Sequence, residues 1–336
     1  AGILENNTAE LGSYLNKGSL CGTIIDLSYI KLIGYVPEVK IRAISVGANA
    51  SAKTVSGIET NGTVTFISRQ ADPITKTFQV EITAEKLSLN LRTPSSLDND
   101  EEYNFLKSIK PEIVVVVAYG KIIPKKFLNL PKFGFINVHA SLLPKWRGAA
   151  PMQRSIMNLD SETGITIMKI VEELDAGPII HQDKIKINES VDTISLSKLL
   201  SQLGAKSLIK AMNKIFKGDF SFKEQNHKDA TYAKKISKDE AKINWNQSAK
   251  VVLAKINGLN PNPGAWFKYK NERYKVWKAK ITNTSGNPGT TVDDMLTVAC
   301  NDQSIKILEI QKEGKSRQQA DQFLLGNMIK LGESID

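Results

Sequence analysis

The stretch FINVHASLLPKWRGAAP, from Phe135 to Pro151, decides the fold and holds the densest group of candidate functional residues. Its apolar start predicts a buried strand, at whose end Asn137 and His139 stand two residues apart. Residues i and i+2 of a strand point to the same side, so both side chains would face one pocket. An amide beside an imidazole favours chemistry on a carbonyl group. The alternative is that Asn137 only ends the strand and His139 is a loop histidine with satisfied hydrogen bonds.

The residues before this stretch predict an α/β unit. Asp98 to Ile109 has apolar residues at helical spacing and acids in the first turn. Ile113 to Gly120 is a continuous apolar run, which predicts a strand buried on both faces and therefore a parallel sheet. A short helix over Lys121 to Leu130 and a strand over Gly134 to Val138 complete the strand–helix–strand rhythm.

The residues after this stretch continue the same pattern. Helices are predicted over Ala149 to Leu159 and Thr193 to Lys217, and strands over Gly164 to Val171 and Ile179 to Ile187. The loop EELDAGP between those two strands supplies Asp175, which could also be ordinary turn chemistry. Ligands bind at the carboxyl edge of open parallel sheets, so we expect Asp175 to meet Asn137 and His139 there.

Composition narrows the function classes. The 336 residues carry 45 Lys+Arg against 35 Asp+Glu, a net charge of +10 that points weakly to a polyanionic partner. Two cysteines and three histidines without ligand spacing exclude a disulfide framework and predict no metal. No apolar run reaches the ~18 residues of a membrane span. The chain starts at Ala1 without a visible signal peptide, as an internal or processed start does.

Four motifs resemble methionyl-tRNA formyltransferases from about Ala84 to the C-terminus: FINVHASLLPKWRGAAPMQRSI, SETGITIM, EELDAGPI and INWNQSAKVVLAKINGLNPNPGAWF. The WRGAAP extension and the basic C-terminal domain favour this family over the glycinamide ribonucleotide enzymes. The resemblance implies formyl transfer from 10-formyltetrahydrofolate, as co-substrate, to the amine of methionyl initiator tRNA, with the enzyme acting as a cytoplasmic monomer. A sugar-nucleotide N-formyltransferase, which uses the same chemistry, is the alternative.

The resemblance also implies roles for single residues. Asn137 and protonated His139 would donate to the developing oxyanion, and Asp175 would hold the imidazole or a water and help to remove the amine proton. The segments that would line the folate pocket with backbone groups are Val117, Ala118, Tyr119, Gly120, Ser141, Leu142, Leu143 and Pro144. Lys145 and Arg147 would contact the tRNA acceptor end, with an ordinary solvated loop as an equal alternative.

A basic, aromatic hairpin gives a separate argument for RNA. Pro261 to Lys280 alternates aromatic or apolar residues with basic ones, and alternation puts several cations on one face. The alternative is an ordinary solvated strand face over an aromatic core. With a helix over Trp245 to Leu259 and another over Ala320 to Leu331, a small oligonucleotide-binding (OB-like) β-barrel fits. The candidate tRNA contacts here are Lys268, Lys270, Arg273, Lys275, Lys278 and Lys280.

The first 83 residues differ in character. Glycines separate short alternating runs, which predict antiparallel strands over Gly22 to Asp26, Lys31 to Val36, Gly62 to Ile67 and Thr77 to Ile82. The residues ELGSYLNKGSLCGTIIDLSYIKLIGYVPE and TNGTVTFISRQADPITKTFQVEI resemble periplasmic adaptor subunits of efflux pumps, over about residues 1–82. That resemblance alone implies a periplasmic location, and an adaptor fragment is an alternative function for the chain.

We therefore predict a chimeric α/β plus β chain. Its parts are an adaptor-like antiparallel segment (1–83), an N-terminally incomplete Rossmann-like catalytic domain with a parallel sheet (84–217), a linker (218–240) and an OB-like tRNA-binding domain (241–336). We expect no membrane contact for the transferase part. Because the family's usual N-terminal strands are not recognised, we also expect the catalytic half to be poorly stable or inactive.

Overall fold

The computed structural model of the chain describes residues 3–7, 22–25, 30–37, 41, 43–53, 59–68, 77–84, 92, 94, 96–326 and 329–336. The chain forms two compact units, Ala1–Thr93 and Pro94–Asp336. Each unit is considered by itself below. The predicted domain limits at residues 83, 217 and 240 stay predictions.

The first unit consists of antiparallel strands, as the alternating pattern predicts. Two strands pair as one ladder, and four others form a sheet in the order β3-β6-β5-β4. Val64 is the buried core residue among the described part of this sheet. The strands are β1 (Ile3–Asn7), β2 (Gly22–Ile25), β3 (Ile30–Pro37), β4 (Asn49–Lys53), β5 (Glu59–Ile67) and β6 (Thr77–Ala84).

The second unit starts with a mixed four-stranded sheet. Its order is β11-β10-β8-β7, and only β7 and β8 run parallel, whereas β10 and β11 are antiparallel. The predicted parallel sheet is confirmed for β7 and β8 and wrong for β10 and β11, because apolar runs encode burial and not strand direction. The elements are α1 (Asp100–Ile109), β7 (Val114–Val117), α2 (Lys125–Leu128), β8 (Phe135–His139), β9 (Arg147–Gly148), α3 (Pro151–Met157), β10 (Glu162–Lys169), β11 (Ile179–Lys186) and α4 (Thr193–Lys217).

Strand β7 is the edge of this sheet among the described strands. Val115 is 37% exposed and Val117 is 61% exposed, while Val114 and Val116 are half-buried. The prediction that this run is buried on both faces is wrong. Burial of the second face requires a further strand or layer, and the run's own sequence cannot report whether one is present. Strand β10 is the truly buried one.

Helix α4 covers the sheet with its apolar face. Leu196, Leu200, Ala211 and Ile215 are buried in one cluster with the isoleucines of β8 and β10. Burying each large side chain stabilises the fold by roughly 1.5–3 kcal/mol. The helix begins after Asp192, whose carboxylate accepts from the N–H of Ser195, and ends at Gly218 in the left-handed conformation.

The C-terminal part is a curled antiparallel sheet with a helix packed on it, which confirms the α/β plus β fold class. Lys270 and Asn271 both have positive φ, 49° and 64°, and form the two-residue hairpin turn that joins its first strands. Phe267 and Tyr274 stack on the buried side. Its elements are β12 (Tyr232–Ala233), α5 (Ala249–Leu259), β13 (Ala265–Tyr269), β14 (Glu272–Thr282), β15 (Thr297–Ala299), β16 (Ser304–Lys312), β17 (Gln318–Gln319) and α6 (Ala320–Gly326).

Candidate active site

The end of β8 presents Asn137 and His139 on the same side of the sheet, as their spacing predicts. Asn137 is half-buried, and no group among the residues described here hydrogen-bonds to its side-chain amide. His139 is 6% exposed. The site therefore offers one unengaged amide beside one sheltered imidazole.

Both ring nitrogens of His139 have a defined neighbour. Nε2 lies 2.9 Å from the carbonyl oxygen of Trp146, and Nδ1 lies 3.7 Å from Oδ2 of Asp175. A carbonyl only accepts, so Nε2 carries a hydrogen in the neutral and the cationic form. His139 can consequently gain or lose a proton only at Nδ1, toward Asp175. This geometry favours proton exchange over the predicted donation to a substrate oxyanion.

Asp175 sits in a constrained loop between β10 and β11. Its φ is +47°, in the left-handed region, and its side chain is 17% exposed. Oδ2 accepts a 2.8 Å hydrogen bond from the backbone N–H of Gly148. At Gly177 a Cβ would lie 1.9 Å from the carbonyl oxygen of Lys169, so only glycine fits there. The structure thus brings the three predicted catalytic residues to one place.

The side chain of Arg147 is only 1% exposed, and its contact with tRNA stays a prediction. Its Nε and Nη2 donate to Oε1 of Gln225 at 3.1 and 2.8 Å, and Nη1 lies 3.6 Å from the exposed Glu173. Gln225 in turn donates to the carbonyls of Asp175 and Gly177 at 2.8 and 2.7 Å. Sequence reasoning missed Gln225 because no local pattern marks a glutamine within a polar linker.

The segment predicted as a linker lies against the site loop. Its strand β12 pairs in parallel with β9, and the N–H of Trp146 donates to Oγ1 of Thr231 at 2.9 Å. The carbonyl of Ala233 accepts from the N–H groups of Ala149 and Ala150. Residues 225–233 therefore support the same loop that supplies the His139 acceptor and the Asp175 donor.

One of the two predicted folate segments is turned inward. Ser141 is fully buried, its carbonyl accepts from Oγ1 of Thr166, and the N–H of Leu143 donates to that same hydroxyl. The Leu143 carbonyl accepts from Gln182. These hydrogen bonds hold the turn onto β10 and β11, and the folate contact of Ser141 to Pro144 stays a prediction. Leu142 and Pro144 are half-buried.

The other predicted folate segment is open to solvent. Val117 pairs with Val138, so the chain leaves β7 beside the end of β8. Tyr119 is 41% exposed, and the neighbouring Ala118 and Gly120 are also exposed. This segment lies at the same sheet edge as Asn137 and can contact a ligand there.

Lys145 remains half-exposed but is not free. Its Nζ lies 2.8 Å from Oδ1 of Asp160, and Oδ2 of that carboxylate accepts from the indole N–H of Trp146. The ammonium also lies 5.7 Å from the Trp146 ring centroid. A phosphate would have to compete with this buried carboxylate, so the tRNA contact of Lys145 stays a prediction.

On the hairpin, cations lie over aromatic rings. The guanidinium carbon of Arg273 is 4.3 Å from the Trp266 ring centroid, and Nζ of Lys275 is 5.5 Å from that of Trp277. Both tryptophans are nearly buried, at 7% and 8% exposure, so they support the cations rather than stack on bases. Lys270 lies 3.5 Å from Glu333. Lys268, Lys270, Lys278 and Lys280 are exposed, and of these Lys270 has the nearby Glu333 carboxylate.

A second polar cluster joins β11 to α4. Hydrogen bonds from Ser207 and His181 and the nearby Lys210 surround the carboxylate of Asp183. The Ser207 hydroxyl, followed by His181 and Lys210, lowers the pKa of Asp183 to about 2. Across the described ranges, no group of His, Cys, Asp and Glu could hold a metal ion, and no helix is both long and apolar enough to cross a membrane.

Comparison with known proteins gives consistent results. The family model "Formyl transferase" matches residues 44–212, and "Formyl transferase, C-terminal domain" matches residues 235–328. The first match begins at residue 44, before Ala84, where the sequence motifs place the start of the resemblance.

Curated relatives match most of the chain. A methionyl-tRNA formyltransferase from Pelagibacter ubique is 51% identical over 258 residues, which are 76% of this chain and 83% of that protein. One from Bradyrhizobium diazoefficiens is 41% identical over 257 residues, 75% of this chain and 83% of that protein. The crystal structure of HypX from Aquifex aeolicus with tetrahydrofolic acid has a TM-score of 0.54 and 18% identity, covers 66% of this chain and 40% of HypX, and indicates a shared fold.

Proposed function

This chain belongs to the methionyl-tRNA formyltransferase family, and from that membership we propose that it transfers a formyl group to the α-amine of methionyl initiator tRNA. The observation that carries the proposal is the half-buried, unengaged amide of Asn137 beside the His139–Asp175 pair. 10-Formyltetrahydrofolate supplies the formyl group as co-substrate. The cytoplasm, where charged tRNA is found, is the proposed place of action.

Asn137, His139 and Asp175 have different roles in the reaction. As the amine forms its bond with the formyl carbon, negative charge grows on the formyl oxygen, and the amide of Asn137 donates to that oxygen. One such donor is worth about 10²–10³ in kcat. The amine loses a proton, which Asp175 and Nδ1 of His139 accept between them. The bond between the formyl carbon and the folate nitrogen breaks, and the folate nitrogen takes up a proton.

Two surfaces would hold the substrates. We place the folate against the open segment Val117 to Gly120, which meets the end of β8, with the turn Ser141 to Pro144 as its second predicted contact. The exposed Lys268 of the C-terminal hairpin suits an RNA phosphate, as do Lys278 and Lys280. These assignments rest on exposure, charge and position, and a monomeric state is part of the same proposal.

Two further expectations stay predictions. The adaptor-like character of residues 1–82 is compatible with the antiparallel sheet of the first unit. The predicted poor stability or inactivity of the catalytic half is supported by the solvent-exposed Val115 and Val117 on β7, the edge among the described strands. An exposed apolar edge strand weakens a sheet and favours unwanted pairing.

The direct test measures tetrahydrofolate release by the purified chain, with methionyl-tRNA and with amino-sugar nucleotides as acceptors. We expect whatever turnover the chain supports to require the tRNA, and faster turnover with amino sugars would instead identify a sugar-nucleotide enzyme. Asn137→Ala should lower kcat about 10²–10³-fold without changing thermal stability, because the amide bonds to no described group. His139→Ala and Asp175→Ala should abolish transfer, and near-normal rates in either would contradict the site assignment.

A further inference from the structure

Gln225 links the side chain of Arg147 to the backbone of the Asp175 loop through one buried amide. It is 5% exposed and lies in the polar connector that follows α4. Its Oε1 accepts from Nε and Nη2 of Arg147, while its Nε2 donates to the carbonyls of Asp175 and Gly177. The oxygen and the nitrogen of the amide therefore each make two hydrogen bonds, to residues far from Gln225 in the chain.

Arg147 determines which way this amide faces. A guanidinium has only donors, so the amide oxygen must point to Arg147 and the amide nitrogen to the loop. The nitrogen then holds two carbonyls of the Asp175 loop, at residues i and i+2. A left-handed conformation at a residue other than glycine persists only when its surroundings hold it. These two bonds are well placed to hold Asp175 at its φ of +47°.

We propose that Gln225 is a positioning residue of the transfer reaction, which orients Asp175 toward His139 through the loop backbone. The inference rests on the proposed function for its kinetic consequence only. With the backbone held, Oδ2 of Asp175 lies 2.8 Å from the Gly148 nitrogen and 3.7 Å from Nδ1 of His139. Misplacing a reacting group by about 1 Å can slow a reaction about 10²-fold.

Gln225→Glu separates positioning from plain support of the fold. A carboxylate keeps the contact with Arg147 as an ion pair, but it sets an oxygen against the carbonyls of Asp175 and Gly177. We expect kcat for methionyl-tRNA to fall about 10²-fold while KM stays within about twofold. Gln225→Met, which is nearly isosteric and loses both contacts, should lower kcat at least as much and also lower the melting temperature.

Ser207→Ala is the matched control. Ser207 is fully buried, and its single hydroxyl proton is shared between Oδ2 of Asp183 and the Leu203 carbonyl, neither of which lies in the Asp175 loop. Ser207→Ala should lower the melting temperature and leave kcat within about twofold of the parent value. If Ser207→Ala lowers kcat as much as Gln225→Glu does, the loss is a general stability effect and the positioning role is refuted.

The amide proton of Gly148 gives a readout that does not need turnover. Hydrogen exchange at this amide, followed by NMR on the full chain, should be faster in Gln225→Glu and unchanged in Ser207→Ala, because only the former displaces its Asp175 acceptor. An equally protected Gly148 amide together with parental kcat in Gln225→Glu would overturn the proposal. Absence of formyl transfer by the parent chain would defeat the proposed function, whereas the Gly148 comparison would still decide the role of Gln225.

Discussion

Replacing Arg147 by methionine separates the two roles that a basic residue in this loop could have. A tRNA contact would be exposed and dispensable for folding, whereas the structure places the guanidinium at 1% exposure with two donors on Gln225. Methionine keeps the length of the aliphatic stem, so the change removes mainly the charge and its hydrogen bonds.

The expected loss of stability follows from those contacts. A hydrogen bond to a charged group contributes about 1.5–3 kcal/mol, and a buried acceptor left without a donor costs about 1–3 kcal/mol. These figures overlap, because both describe the same Gln225 oxygen. The ion pair with Glu173, which is 60% exposed, adds less than about 1 kcal/mol. We expect the free energy of unfolding to fall by about 2–4 kcal/mol, a large share of a typical total of ~5–15 kcal/mol.

Urea unfolding, followed by tryptophan fluorescence, measures this change in the second unit, which contains Arg147. The four tryptophans, at positions 146, 245, 266 and 277, all lie between Pro94 and Asp336. The midpoint should fall while the m-value stays constant, which marks a change in stability alone. Lys268→Met, on the exposed hairpin face, is the control, and its free energy of unfolding should change by less than ~0.5 kcal/mol.

The salt dependence of tRNA binding should affect the two variants in the opposite way, changing in Lys268→Met and not in Arg147→Met. Loss of one phosphate contact reduces the slope of log K against log salt by about 0.7–0.9. We expect that reduction in Lys268→Met and an unchanged slope in Arg147→Met. A parental midpoint in Arg147→Met, combined with a slope reduced by about 0.9, would show that Arg147 contacts RNA and would refute the structural role.

Three further predictions concern the Asp175 loop, the carboxylate of Asp183 and the thiol of Cys300. Gly177→Ala should abolish formyl transfer and lower the melting temperature, since its Cβ would meet a backbone carbonyl at 1.9 Å; parental values for both would contradict this. The pKa of Asp183, lowered to about 2 mainly by Ser207, makes the parent more stable than Asp183→Asn above pH 3.8; that difference should vanish as pH falls toward 2, and chemical denaturation at pH 6, 4 and 2 tests it. Burial raises the pKa of Cys300 to about 12, so in a Cys21→Ser chain a thiol reagent at pH 8 should label Cys300 only after denaturation.

The connector after α4 joins several parts of the second unit by hydrogen bonds. It carries Gln225 to the Asp175 loop, Thr231 to Trp146, and the carbonyl of Lys234 to the guanidinium of Arg154 on α3. It then leads through α5 into the sheet that bears the basic hairpin. The loops of the candidate site and the connector are therefore joined by backbone and side-chain hydrogen bonds, and the connector is more than a spacer.

Local chemistry in the sequence determined several elements by itself. Thr193–Lys217 is helical over the predicted residues, because apolar spacing, the Asp192 cap and Gly218 all act within a few residues. The antiparallel strands of the first unit and the basic hairpin follow from alternation in the same way. The proximity of Asn137 and His139 follows from strand periodicity alone.

Only the tertiary structure decided the remaining features. The direction of β10, the exposure of β7 and the burial of Arg147 each depend on segments distant in the chain. The hydrogen on Nε2 of His139 depends on how the following loop folds back to place the Trp146 carbonyl. Gln225 lies 78 residues beyond Arg147 and carries no local signal of its role. Periodicity and capping report forces between near neighbours, whereas burial, pairing direction and hydrogen-bond partners are set when distant segments compete for the same space.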